Sequence, residues 1–100
     1  MGPVAFPTVS EYLVELYVSR ADACAIERDA ERVRLAAEEQ TRRGIPVRFL
    51  RTIFVPDDET CFFLYESGSA EAVREAAGRA TLPFERVAEA FTHPSSRSGQ

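Results

Sequence analysis

The chain has 100 residues, is 45% hydrophobic and 28% charged, and carries a formal net charge of −4. A single domain of this length buries roughly 60–70% of its unfolded surface, so a core can form without metal or disulfides. The acidic balance argues against nucleic acid as the main partner, because phosphate binding needs a basic surface, and no apolar run is long enough to span a bilayer.

Residues 1–9 hold Gly2, Pro3 and Pro7 and are expected to form an irregular arm without the basic start and long apolar core of a signal peptide. A strand is expected over residues 12–18. It places Tyr12, Val14, Leu16 and Val18 on one face and Leu13, Glu15 and Tyr17 on the other. Ser19 to Asp22 has capping-box spacing, and Asp22 is itself a good N-cap for a helix ending near residue 43. Ile26, Ala30, Val33 and Ala37 form one buried stripe of that helix. Arg34 with Glu38, Glu38 with Arg42, and Glu39 with Arg43 stand at i,i+4 on a solvated outer face. Gly44 ends the helix and Pro46 prevents its resumption.

A second strand over 47–55 alternates Phe49, Arg51 and Ile53 against Leu50, Thr52 and Phe54. Residues 56–59 make a polar hairpin connection to a third strand over 61–66. Ser69 then caps a second helix that buries Ala70, Val73, Ala77 and Ala80. Leu82-Pro83-Phe84 makes the return to a fourth strand over 86–92, and a flexible polar tail follows from 93. The order β-α-β-β-α-β predicts one two-layer α+β sandwich over residues 10–92.

Strands two and three are apolar on both faces, whereas a two-layer sheet needs only one apolar face. The face away from the helices is therefore expected to carry Phe49, Ile53, Phe63 and Leu13. Such a patch marks a partner or ligand surface, and a homodimer packed sheet against sheet covers it economically. Glu15, Tyr17, Arg51 and Tyr65 are expected to share that face. A carboxylate, a guanidinium and two phenols in an apolar wall could bind a small polar ligand. Alternatively, Glu15 and Arg51 pair across the sheet or the dimer.

All 12 basic residues are Arg, which fits either codon bias or selection for bidentate anion binding. His93, beside Pro94, is the only imidazole: a metal ligand or general base, or simply an exposed tail residue. No zinc spacing and no Gly-rich phosphate loop occurs, and Asp57, Asp58 and Glu59 lack the EF-hand pattern. Cys24 and Cys61 form no disulfide framework and are expected to be small buried groups in a reduced, cytoplasmic setting. A nucleophile would need a base beside it and only His93 could serve, so the residues favour binding over catalysis. Proton transfer by Tyr and Glu in a pocket stays open.

The run Tyr12-Leu13-Val14-Glu15-Leu16-Tyr17-Val18, the run from Val55 to Phe62, Ala70-Glu71-Ala72-Val73-Arg74-Glu75-Ala76 and Leu82-Pro83-Phe84-Glu85-Arg86-Val87 together carry a resemblance. They resemble a family of small bacterial ferredoxin-like proteins of unknown function, common in actinobacteria, of which some members are labelled nickel-binding. The resemblance covers residues 11–90. It implies a ferredoxin-like fold, homodimers of the dimeric α/β-barrel type, and nickel as a candidate ligand. Nickel-binding members carry histidines on the second strand and second helix, where this register holds Thr52 and Ala76. Glu15 matches the family's acidic position, so Glu15 and His93 are the candidate metal ligands. Divalent nickel prefers imidazole with carboxylate and water.

These observations predict a small homodimeric protein that binds a small molecule or a metal, with Glu15 and Arg51 anchoring the ligand and Tyr17 and Tyr65 lining its pocket. Alternatives are a dimeric α/β-barrel enzyme (an isomerase, cyclase or cofactor-free oxygenase acting on a small apolar substrate) and a pure interaction module.

Overall fold

The structure, a computed structural model, describes residues 9–91, so the tail from residue 93, His93 included, and all of the arm but Val9 lie outside the described residues. In β1 (Ser10–Tyr17) the expected alternation holds: Tyr12, Val14 and Leu16 are buried, while Leu13 and Glu15 are half-buried on the opposite face. The chain leaves β1 through a 3-10 turn (Arg20–Ala25) before entering α1 (Ile26–Arg42). Ser19, rather than Asp22, occupies the capping position. The Asp22 N–H donates to the Ser19 carbonyl at 2.9 Å, and the Ser19 hydroxyl donates to Asp22 Oδ2 at 3.1 Å. The turn buries none of its residues, which leaves Cys24 exposed and corrects the expectation that both thiols are buried.

Along α1, Val33 and Ala37 are buried, and Ile26 and Ala30 pack against the core from its edge. The stripe continues to Gln40, a polar side chain that is fully buried. Its Nε2 donates to the Ala72 carbonyl at 3.0 Å and its Oε1 accepts from Arg79 Nε at 2.7 Å, so both ends of the amide are satisfied by the second helix. On the outer face Arg34 bonds both Glu31 and Glu38, and Glu39 takes Arg42 at 2.7 Å and Arg43 at 3.0 Å. Arg42 thus pairs with Glu39 instead of the expected Glu38. Gly44 ends the helix at φ +97°, a conformation that an L side chain rarely adopts.

Thr41 then ties the helix end to β2 (Val47–Val55): its hydroxyl donates to the Val47 carbonyl at 2.8 Å and accepts from the Val47 N–H at 3.1 Å. A second 3-10 turn (Pro56–Asp58) leads to β3 (Thr60–Ser67). In α2 (Ala70–Arg79) the Ser69 hydroxyl accepts the Ala72 N–H at 3.1 Å, as an N-cap should, and Val73, Ala76 and Ala77 are buried. Arg32 of α1 donates to the Ala80 carbonyl at 2.6 Å, closing the other end of α2. β4 (Arg86–Ala90) completes an antiparallel sheet in the order β2–β3–β1–β4. The two helices cover one face of it. This is the ferredoxin-like α+β arrangement.

Residues directly opposite in a ladder share a face, so the register fixes which side chains meet the helices. Tyr12 stands opposite Tyr65, Val14 opposite Phe63, and Leu16 opposite Cys61. Phe63, Tyr65 and Cys61 are therefore core residues, each at most 1% exposed. Phe49 joins them, its ring 5.9 Å from Phe63 and 6.0 Å from Tyr65 in edge-on geometry. This overturns the expectation that Phe49, Phe63 and Tyr65 lie on the open face. For Phe49 the cause is a register shift between Phe49 and Arg51. Leu50 is the extra residue, and it breaks the period-2 alternation, so Phe49 and Arg51 take opposite faces.

Candidate functional site

The open face is built in rows that cross the four strands. Arg86, Glu15, Phe62 and Ile53 form one row; Ala88, Leu13, Leu64 and Arg51 form the next; Ala90, Glu11, Glu66 and Arg48 form the third. The expected apolar patch exists, but its members are Leu13, Ile53, Phe62 and Leu64 rather than Phe49 and Phe63. Ile53 is 41% exposed. Glu15 and Arg51 lie in different rows and on strands two apart, so they do not pair. Glu15 is taken by Arg86, whose Nε donates to Glu15 Oε1 at 2.8 Å. Arg51 is exposed and makes no hydrogen bond or ion pair with another described residue.

The two phenols are separated from each other and from Arg51. Tyr65 is fully buried beneath the helices, and its hydroxyl meets no hydrogen-bond partner among the described residues. Burial drives its ionisation to higher pH. Tyr17 lies at the far end of β1, 59% exposed, and donates to Glu59 Oε1 at 3.1 Å. That hydrogen bond, together with the Glu59 charge, holds the Tyr17 hydroxyl protonated beyond its ordinary range. Glu59 sits at φ +49° and also accepts the Arg20 N–H at 3.0 Å, while Arg20 reaches the Pro56 carbonyl at 3.1 Å and Asp57 at 2.7 Å. The group is a clasp between the end of β1 and the β2–β3 hairpin, with its polar atoms bonded to one another. Glu15, Arg51 and Tyr17 thus keep the open face expected of them but stand in three different rows, while Tyr65 lies in the core, so the four do not make one pocket.

A cleft lies elsewhere, at the end of the sheet where β2 begins and β3 ends. It measures about 710 Å³, within the ~300–1,000 Å³ typical of small-molecule sites. Val9, Ala37, Pro46, Val47 and Phe49 supply its apolar lining, and Arg34, Glu38, Arg42, Arg48 and Glu66 its charged lining. Its walls are stitched by the Thr41–Val47 bonds and by the Ser67 hydroxyl, which donates to the Pro46 carbonyl at 3.0 Å. The sequence signal for this cleft is faint: Gly44 and Pro46 mark the corner, but only the fold brings α1, β2 and β3 together around it.

Among the described residues no group of three or more His, Cys, Asp or Glu side chains could hold a metal ion. The Cys61 thiol is buried, and desolvation pushes its pKa up to about 11, which makes it a poor nucleophile at neutral pH. No helix among the described residues is long and apolar enough to cross a membrane.

A family model described as nickel responsive protein SCO4226-like matches residues 12–90. The chain belongs to the SCO4226-like family. The crystal structure of SCO4226 from Streptomyces coelicolor A3(2) superposes with a TM-score of 0.69 at 16% sequence identity, covering 85% of this chain and 100% of that one. At that identity the likeness is one of fold. No curated protein matches this chain. The nickel in the family's description does not fit the described residues of this member. Thr52 and Ala76 offer no imidazole, Ala76 is fully buried in α2, and Glu15 is engaged by a guanidinium.

Proposed function

We infer that this SCO4226-like chain is a small-ligand-binding protein that works as a homodimer, with the ligand in the cleft at the start of β2 and the open sheet face given to the second copy. The observation that carries the ligand reading is the cleft itself: about 710 Å³ of surface concavity floored by Ala37, Val47 and Phe49, where the margin of the core reaches the surface. The dimer reading rests on the composition of the open face. Three carboxylates (Glu11, Glu15, Glu66) and three guanidiniums (Arg48, Arg51, Arg86) surround Leu13, Ile53, Phe62 and Leu64. A face neutral in sum and mixed in sign, on a chain of net charge −4, is complementary to a two-fold copy of itself. Arg51 then acts as a dimer contact meeting a carboxylate of the second copy.

The ligand half is tested by amide chemical shifts on adding an uncharged apolar probe, 1-octanol. Shifts confined to Ala37, Val47, Phe49, Ser67 and Gly68 support it. Shifts on the open face alone, or none at saturating probe, reject it. The dimer half is tested by sedimentation equilibrium of the full chain beside Ile53→Arg. Ile53 is 41% exposed, so the substitution spares the protomer's core, and the dimer constant should weaken by roughly tenfold or more. A monomer at tens of micromolar, or an unaffected variant, rules that half out.

A further inference from the structure

We propose that the ligand of this cleft is an amphipathic anion, an apolar body ending in one carboxylate or a similar oxyanion. This rests on the cleft being the ligand site and names what it selects. Two polar side chains of the cleft are already engaged. Thr41 and Ser67 use their hydroxyls to join β2 to its neighbours, so the floor formed by Ala37, Pro46, Val47 and Phe49 offers an apolar surface on a braced frame. Selection by charge is left to the rim.

The rim's cations are not equally engaged. Arg34 is shared between two carboxylates, Glu31 and Glu38, and has little left to offer a ligand. Arg42 is in the opposite position. Its one carboxylate, Glu39, also serves Arg43, so two guanidiniums share a single negative charge. Arg48 stands where the open face borders the cleft; it has one ion pair, to Glu66 at 3.4 Å, and its side chain is 71% exposed. A guanidinium carries five N–H donors in a planar fork suited to an oxyanion. Arg42 approaches from the end of α1 and Arg48 from β2, each with donors to spare beside the apolar floor. The lining thus sets three guanidiniums against two carboxylates, Glu38 and Glu66, a local excess of positive charge on an acidic chain, and the less engaged guanidiniums stand where an oxyanion beside the apolar floor takes a charge-assisted bond.

The test uses three probes that share one chain and differ in the head group: octanoate, 1-octanol and octylamine, each titrated into uniformly labelled protein with amide shifts as the readout. Octanoate should move the amides of Ala37, Val47, Phe49 and Gly68 and bind roughly tenfold tighter than octylamine, as expected when a charge-assisted hydrogen bond replaces a like-charge approach. The double variant Arg42→Gln/Arg48→Gln should lose about that factor for octanoate and keep its affinity for octanol. Octylamine binding as tightly as octanoate, or an unchanged octanoate affinity in the double variant, overturns the proposal while leaving the cleft a ligand site. Failure of all three probes to move these amides overturns both.

Discussion

Tyr65 illustrates how a single side chain can weigh against the state it belongs to. Its ring packs on Phe49 in the core, while its hydroxyl is buried without a partner among the described residues. An unpaired buried hydroxyl costs about 1–3 kcal/mol of desolvation, whereas a phenyl ring would keep the packing. Tyr65→Phe should therefore leave stability unchanged or raise it by up to about 1 kcal/mol, read as a higher urea midpoint at unchanged slope. A loss instead would mean that the hydroxyl has a partner in solution. Gln40 is the contrasting case, a buried polar group with both ends bonded. Its burial was latent in the sequence, since it stands three residues after Ala37 and seven after Val33 on the apolar stripe. What spacing cannot reveal is that Ala72 and Arg79 would be there to meet it, because those partners lie more than thirty positions away along the chain.

Among the secondary-structure elements, the signals that are local in sequence were the most legible. Gly44 stops α1 at φ +97° and Ser69 caps α2, each through its own backbone or side chain. Gly44 and Gly78 make opposite predictions. No atom lies within 4 Å of a Cβ added at either position, so only the backbone decides. Gly44→Ala forces an L residue into the left-handed region and should cost roughly 1 kcal/mol, while Gly78→Ala inside α2 should gain roughly 0.5–1 kcal/mol. Paired thermal melts would check both signs, and equal shifts would contradict the helix-end geometry. The faces of β2 and β3 were harder to read. Both strands are apolar on both sides, so the pattern does not indicate which set points inward, and an extra residue at Leu50 reverses the phase midway. The fold could be read from element order, but the candidate site could not: Glu15, Tyr17 and Arg51 do share the open face, in separate rows, while the β3 register carries Tyr65 into the core, and the cleft is assembled by α1, β2 and β3 from residues far apart in sequence.

For the molecule as a whole, the buried thiol predicts how stability responds to pH. Cys61 is raised from its ordinary 9.0 to about 11 by burial, with the Asp29 charge adding in the same direction. Below about pH 9 both folded and unfolded chains hold the proton, and this group contributes no slope. Between about pH 9 and 11 the unfolded chain releases its proton first, so it binds fewer protons than the folded chain and stability falls as pH rises. The raised Tyr65 acts in the same sense at higher pH. Between pH 8 and pH 10.5 the urea midpoint should drop for the wild type and drop less for Cys61→Val. An identical drop in the two proteins would mean that Cys61 does not set the slope. Cys24, exposed on its turn, should react with a thiol reagent in the native state while Cys61 stays protected.

The bulge at Leu50 also bears on how relatives are to be compared. On one side of that residue, odd and even positions of β2 mean inward and outward; on the other side they mean the reverse. Two family members that differ by this one residue can be matched column by column through β2 and still set a core side chain against a surface one. Arginines at 48 and 51 would then look like unrelated positions, although here they stand on the same side of the sheet.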